Sequence, residues 1–155
     1  MNHYLAQINI SRFKAPLGDR SMKEFVDFLE PVNKLAEESE GFIWRLKDED
    51  GLPSSYLPSP FEDDGMMAMN MSVWENMDSF KNFVYGTVHS YFLKNKKQWF
   101  EPIGKPYFVM WWVAKNEIPT IQEGKEKLDL YLKVGPSPQA FTFRELFDAQ
   151  GLPMT

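Results

Sequence analysis

Four polar side chains at alternate positions of two predicted strands are the residues best suited to binding chemistry. Gln7 and Asn9 lie in the first strand, and Asn70 and Ser72 lie in a later one. Residues spaced by two in a strand share a face of the sheet, so each pair points the same way. Buried polar groups need partners, which can be side chains, water or a ligand. The strip therefore predicts either a small-molecule site or a hydrated subunit interface.

His89 is the candidate catalytic residue, and it lies in a predicted helix. A neutral imidazole on a helix that lines a cavity can act as a general base or as an axial haem ligand. The structural alternative is a histidine that is hydrogen-bonded to backbone or exposed to solvent. The residue type and its position leave both interpretations open.

Three further residues complete the candidate substrate-binding set. Arg45 lies in a short aromatic strand, where its guanidinium can hold a carboxylate or phosphate through two parallel hydrogen bonds. The alternative for Arg45 is an ion pair with an acidic residue across the sheet or the dimer. Phe83 in the second long helix and Trp112 in the last strand are the predicted aromatic contacts, although buried tryptophans more often belong to a core.

Composition excludes several classes of function. The chain of 155 residues has no cysteine, which removes disulfides, thiolate nucleophiles and cysteine metal ligands. Its two histidines lack metal-binding spacing, so no metal site is expected. The net charge of −5 argues against a nucleic-acid partner. We expect no membrane association and a cytoplasmic location, because the sequence shows no signal-peptide pattern and no apolar run long enough to span a bilayer.

The elements that must position these residues follow from hydrophobic periodicity and cap signals. The order β-α-β-β-α-β predicts an α+β, ferredoxin-like fold, in which a four-stranded antiparallel sheet carries two helices on one face. A single domain is expected over 1–135, including a C-terminal helix over 120–134, and residues 136–155 form an aromatic tail that docks. The predicted elements are a strand over 3–12, a helix from the S-x-x-E box at Ser21 to Gly41, a strand over 41–47, a long loop over 48–65, a strand over 67–74, a helix capped by Asn76, and a strand after Pro106.

The face of the sheet without helices is expected to form an interface. An uncovered apolar face marks a binding surface, and a second copy of the chain laid sheet to sheet would cover it. The sequence therefore predicts a homodimer. The residues assigned to this face are Leu5, Gln7, Asn9, Asn70, Ser72, Met110 and Trp112.

Several segments together resemble one uncharacterised bacterial family, a domain of unknown function in the dimeric α+β barrel superfamily. That superfamily includes antibiotic-biosynthesis and haem-degrading monooxygenases, so the resemblance implies a homodimer with a cavity between sheet and helices. The last of the segments is the most specific. They are 5–7, 41–46, 72–75, 83–85, His89, 99–100, 111–113 and 135–144, the last reading GPSPQAFTFR.

The predicted function is the binding of a small, largely apolar molecule. If the protein is also an enzyme, the resemblance implies a reaction like that of a cofactor-independent monooxygenase. In that case His89, Asn9 and Asn70 orient the substrate. One alternative is a non-catalytic dimerisation or assembly protein. A third is a haem-binding or haem-degrading protein. Haem degraders of the superfamily pair an Asn with a helix Trp and a later His, whereas here Phe83 occupies the Trp position and His89 follows it too soon. No cofactor is therefore expected.

Overall fold

The structure is a computed structural model that describes residues 2–16, 18–47, 67–86, 97–101 and 107–154. The predicted loop over 48–65 lies outside this part of the chain. Its strands and α-helices, in chain order, are β1 (His3–Phe13), α1 (Lys23–Glu38), β2 (Phe42–Arg45), β3 (Met67–Trp74), α2 (Met77–Val84), β4 (Phe100–Glu101), β5 (Phe108–Ala114) and α3 (Ile121–Val134).

The strands form one antiparallel sheet in the order β2-β3-β1, with β5 along the other edge of β1. This is the order of the ferredoxin-like fold, and the predicted α+β class is confirmed. The short strand β4 adds to it by pairing with the end of β1, where Phe13 lies opposite Phe100. Because β1 is central and 11 residues long, it sets the register of its neighbours.

Two of the described α-helices begin at side-chain caps, and the cap of α2 matches the sequence prediction. Asn76 Oδ1 accepts a hydrogen bond of 2.8 Å from the backbone N–H of Ser79, and it starts α2 as predicted. Thr120 Oγ1 accepts one of 3.0 Å from the N–H of Glu123 and starts α3. The predicted capping box at Ser21 is wrong, because the Asp19 carboxylate caps a short 3-10 turn there instead.

One face of the sheet is closed by α3 of the same chain. Ala6, Ile8 and Met71 on this face are fully buried, and Leu128 of α3 packs in the same cluster. The indole N–H of Trp111 donates a hydrogen bond of 2.8 Å to the carboxylate of Glu123 on α3. This contact joins the helix to the sheet and pairs a polar group that would otherwise be buried alone.

The other face carries α1 and α2, and this corrects the predicted assignment of the two faces. The residues expected on a helix-free side are on the helix-covered side. Leu5 and Trp74 pack with Ala36 of α1 and Phe80 of α2 in a second cluster. The error arises because strand alternation separates two faces without saying which one a helix covers.

The C-terminal tail docks on its own chain. Phe141 exchanges two backbone hydrogen bonds with Met110 of β5, at 2.7 and 3.0 Å, so the tail extends the sheet beyond β5. Ala140 and Phe141 are completely buried. The tail is therefore a structural part of the core, as its aromatic content predicts. None of the helices within the described ranges has the length and apolar character needed to cross a membrane.

Gly124 lies where α3 packs directly against side chains of the sheet. A Cβ atom at this position would lie 2.7 Å from Ile8 Cδ1 and 3.2 Å from Met71 Sδ. Because both neighbours are fully buried, we expect Gly124→Val to lower the free energy of unfolding by about 1–3 kcal/mol through overpacking. Urea denaturation measures this change. Gly18→Val is the matched control, since a Cβ at Gly18 meets nothing within 4 Å. Equal losses in both variants would contradict the packing of α3 described above.

Candidate functional site

The predicted polar residues meet in one hydrogen-bonded strip on the face that α1 and α2 cover. The β1–β3 register sets Gln7 opposite Ser72 and Asn9 opposite Asn70. Gln7 Nε2 donates to Asn70 Oδ1 at 2.9 Å and to Ser72 Oγ at 2.8 Å. Asn9 Nδ2 donates to Gln7 Oε1 at 3.1 Å. The structure therefore brings together these four residues, which we call the polar strip.

Gln7 holds the polar strip together. Its side chain is 2% exposed, and all of its amide groups are used, because Nε2 donates twice and Oε1 accepts once. A buried primary amide is costly unless it is paired, so this geometry is strongly fixed. Asn9 and Asn70 are only partly buried. Their amides are therefore the part of the strip that a bound molecule can reach.

Trp74 ends the strip and connects it to α2. Its indole N–H donates a hydrogen bond of 2.9 Å to Ser72 Oγ. Its ring lies against that of Phe83, with centroids 5.0 Å apart and planes 27° apart. Phe83, a predicted site residue, is thus placed beside the strip by a stacked pair that restricts its ring.

A cavity of about 280 Å³ lies over the polar strip. Its far wall is aromatic and comes from three elements: Phe80 of α2, Phe108 of β5 and Phe143 of the tail. The rings stack on one another, with Phe143 centred 5.8 Å from Phe80 and 5.7 Å from Phe108. The described lining residues are Gln7, Asn9, Ser11, Asn70, Ser72, Phe80, Phe83, Val84, Tyr85, Phe100, Tyr107, Phe108 and Phe143.

A second cavity of about 130 Å³ adjoins the first and lies between the sheet and α1. The two cavities share Asn9, Asn70 and Phe83 among their lining residues. The walls from α1 are mostly apolar and include Phe28 and Val32. Together the cavities make a two-part space with the polar strip as its common floor.

Arg45 lines the smaller cavity and takes part in an ion pair as well. Arg45 lies opposite Ser72, so it shares the face of the polar strip. Its Nε donates to Glu37 Oε2 on α1 at 3.3 Å. Its Nη1 is buried without a hydrogen-bond partner among the residues that the structure describes. Arg45 is therefore ion-paired, but with a helix residue rather than across the sheet, and its role in holding a carboxylate or phosphate stays a prediction.

Trp112 is not brought to the polar strip. Its indole N–H donates a hydrogen bond of 2.8 Å to the backbone oxygen of Phe147, and it packs with the tail. It is absent from the described walls of both cavities. Trp112 has a structural role, because its only polar side-chain group, the indole N–H, bonds to the tail.

His89 lies outside the described residues, so its proposed catalytic role stays a prediction. In the part of the chain with described structure, no cluster of three or more His, Cys, Asp or Glu side chains could hold a metal ion. The chemistry available from the described walls is hydrogen bonding by amides, a hydroxyl and one guanidinium, together with aromatic contact.

The aromatic wall of the cavity is not predicted by the sequence pattern. Phe80 is one of several apolar residues in α2, and this pattern gives no sign that its ring faces a cavity. Phe143 lies 63 residues after Phe80 in the chain. It reaches the cavity because the neighbouring Phe141 pairs with Met110 of β5. The concentration of aromatic residues in the tail was the available signal, and it predicts docking without saying where.

Comparison with known proteins shows one family. The family model described as Domain of unknown function (DUF3291) matches residues 4–154, nearly the whole chain. No curated protein matches the chain.

Solved structures of similar shape are distant in sequence. A protein of unknown function from Nitrosomonas europaea is 11% identical with a TM-score of 0.48, over 76% of this chain and 94% of that one. SnoaB, a cofactor-independent oxygenase from Streptomyces nogalater, is 11% identical with a TM-score of 0.47, over 77% of this chain and all of that one. A dabb family protein with a ferredoxin-like fold from Mesorhizobium loti is 11% identical with a TM-score of 0.42, over 76% and 98%.

Replacing the central amide of the polar strip tests its contribution to stability. We expect Gln7→Leu to lower the free energy of unfolding by about 1–3 kcal/mol, because it removes the two bonds that Nε2 donates to Ser72 and Asn70 and the one that Oε1 accepts from Asn9. Urea denaturation measures the loss. Gln122→Leu on α3 is the matched control, since Gln122 is exposed and bonds only weakly to Glu126 at 3.5 Å. If both variants lose the same stability, the strip does not hold this face together.

Proposed function

We propose that this chain, which belongs to the DUF3291 family of domains of unknown function, binds a small aromatic or largely apolar molecule between the polar strip and helices α1 and α2. The molecule lies with its apolar body against the rings of Phe80, Phe108 and Phe143. A polar group on it bonds to Asn9 or Asn70. The observation that carries the proposal is the cavity of about 280 Å³ with an aromatic wall and an amide floor.

The size of the cavity sets the size of the ligand. An engineered cavity of about 150 Å³ is known to hold one benzene ring. By that scale, the larger cavity of about 280 Å³ accepts a molecule of two fused rings. Its volume lies near the lower end of ordinary ligand sites, which run from about 300 to 1,000 Å³.

The chemistry of the walls sets the character of the ligand. The stacked rings favour a flat, apolar body. The amides of Asn9 and Asn70 are both donors and acceptors, so either a hydroxyl or a carbonyl group would be paired. The Asn70 Nδ2 group makes no hydrogen bond to any residue that the structure describes, because the bonds of this amide run through Oδ1. It is a donor ready for a ligand.

The enzymatic form of this proposal is monooxygenase-like oxidation without a cofactor. Its support is the placement of Asn9 and Asn70 at the cavity floor, where they would orient a substrate. His89, the base in that scheme, lies outside the described residues. Oxygenase chemistry therefore stays a prediction from the sequence.

Haem fits this space poorly. A porphyrin carries four pyrrole rings in one rigid macrocycle, so it is several times larger than the single ring that a cavity of about 150 Å³ holds. The two cavities have about 280 and 130 Å³. We do not propose a haem function for this site.

The homodimer is retained as a proposal, with a different interface. The apolar face of the sheet is buried under α3, since Ile8, Met71 and Trp111 are at most 1% exposed in the single chain. A second copy must therefore use another surface. The assembly alternative rests on an uncovered sheet face, and it loses that support.

Filling the cavity tests the proposal. Ser11 lines both cavities and lies on the same face of β1 as Gln7 and Asn9. We expect Ser11→Phe to weaken the binding of 2-naphthamide, a neutral two-ring probe, at least tenfold, because the new ring occupies the space that the probe needs. Isothermal titration calorimetry gives the dissociation constants of the variant and the unchanged protein.

Ser21→Phe is the control for this experiment, because Ser21 is exposed beside α1 and belongs to neither cavity wall. It should bind the probe as the unchanged protein does, and both variants should keep the cooperative thermal transition. The proposal fails if the unchanged protein does not bind the probe, or if Ser11→Phe binds it equally well.

A further inference from the structure

Arg45 has one buried guanidinium nitrogen, Nη1, that no described residue pairs. Its side chain is 13% exposed, and Nη1 is buried with no hydrogen-bond partner. A buried donor on a charged group is costly when it is unpaired, more so than a neutral one. Retaining such a group makes physical sense where a ligand supplies the missing acceptor.

A one-residue irregularity in β2 aims Arg45 at the cavity. Phe42 lies opposite Trp74, but Trp44 lies opposite Val73, so a bulge falls between them. Regular alternation from Phe42 would put Trp44 on the cavity face, and the extra residue puts Arg45 there instead. A bulge beside a binding site commonly redirects a side chain in this way.

Glu37 holds the guanidinium without using its inner edge. The contact of 3.3 Å joins Glu37 Oε2 to Nε, on the side of the guanidinium nearest the strand. Glu37 is 39% exposed, so water screens its charge, whereas Nη1 is shielded from water. The pair therefore orients Arg45 and leaves Nη1 without an acceptor.

Asn70 supplies a second donor in the same space. It lines the smaller cavity together with Arg45, and its Nδ2 group has no described partner. The backbone register carries Arg45, Ser72 and the neighbouring Asn70 on one face of adjacent strands. A guanidinium and an amide on the same wall provide the two kinds of N–H donor that a planar anion accepts.

We propose that the smaller cavity is a carboxylate subsite, and that the ligand class is an aromatic carboxylate with its ring in the larger cavity. This inference rests on the proposed function and adds a specific end group to it. The ligand carboxylate accepts hydrogen bonds from Asn70 Nδ2 and from the Arg45 guanidinium. Because Nη1 is enclosed in the single chain, the Arg45 side chain shifts on binding to present it. The ring lies beyond Phe83, which belongs to both cavity walls.

A carboxylate fits better than a phosphate for reasons of charge and volume. Arg45 is the one cationic residue in the described wall of the smaller cavity, and Glu37 already offsets part of its charge. A phosphate ester carries more than one negative charge and is usually held by several donors and cations. The space of about 130 Å³ between apolar side chains of α1 suits a singly charged, planar group.

The test compares 2-naphthoate with 2-naphthamide, which have nearly the same shape and differ in charge. The unchanged protein should bind the carboxylate about tenfold to hundredfold more tightly, as expected for a charge-assisted pair. Arg45→Met should remove that preference and bring the two dissociation constants to within about threefold of each other, because the charge that distinguishes the probes loses its partner. Glu37→Gln should strengthen 2-naphthoate binding about threefold, because the guanidinium loses a competing anion. Isothermal titration calorimetry measures every constant.

Arg12→Met is the matched control. Arg12 also contacts a glutamate, with Nε 3.3 Å from Glu101 Oε2, and it is absent from the described cavity walls. It should keep the preference for the carboxylate. If Arg45→Met does not fold, the opposite shift in Glu37→Gln still decides the matter.

The outcomes separate this inference from the proposed function. Binding of both probes with equal affinity, or a preference that survives Arg45→Met, overturns the carboxylate subsite and leaves the cavity proposal standing. An unchanged affinity for 2-naphthoate in Glu37→Gln also counts against the subsite. Failure of the unchanged protein to bind either probe removes both proposals.

Discussion

The buried amide of Gln7 is the interaction on which the rest of this face depends. A primary amide between a sheet and its helices must have both its donors and its acceptor paired. Gln7 meets this need with Asn70, Ser72 and Asn9. Since the partners are short polar side chains, the floor they form is flat and polar, and aromatic rings from α2, β5 and the tail stand over it. The cavity follows from that combination, because the rings pack on one another and leave space above the amides.

The two faces of the sheet carry different kinds of side chain. On the α3 side, apolar side chains such as those of Ile8, Met71 and Trp111 pack into one cluster, and Gly124 lets the helix approach closely. On the α1 and α2 side, polar and aromatic side chains alternate and two cavities remain. Stability and binding are in this way assigned to opposite sides of one sheet. The central strand β1 contributes to both, with even-numbered residues on one side and odd-numbered residues on the other.

Much of this arrangement can be predicted from the sequence, and the reasons for the rest are physical. Alternation placed Gln7 with Asn9 and Asn70 with Ser72, and element order gave the ferredoxin-like topology. The side of the sheet that α3 covers could not be predicted, because both faces of β1 carry apolar residues and both would accept a helix. Arg45 faces the cavity because a bulge shifts the alternation of β2 by one residue. No local pattern in GFIWRLK marks that extra residue. Phe143 reached the site through long-range pairing of the tail, which neither periodicity nor propensity encodes.

The most direct test of the account is the response of side-chain N–H resonances to 2-naphthoate in a heteronuclear NMR titration. The account predicts that the side-chain amides of Asn9 and Asn70 shift, together with the indole N–H of Trp74, which bonds to Ser72. The indole N–H of Trp111, bonded to Glu123 on the opposite face, should stay where it is. Shifts confined to Trp111, or no shift in the amides of the polar strip at saturating ligand, would contradict it.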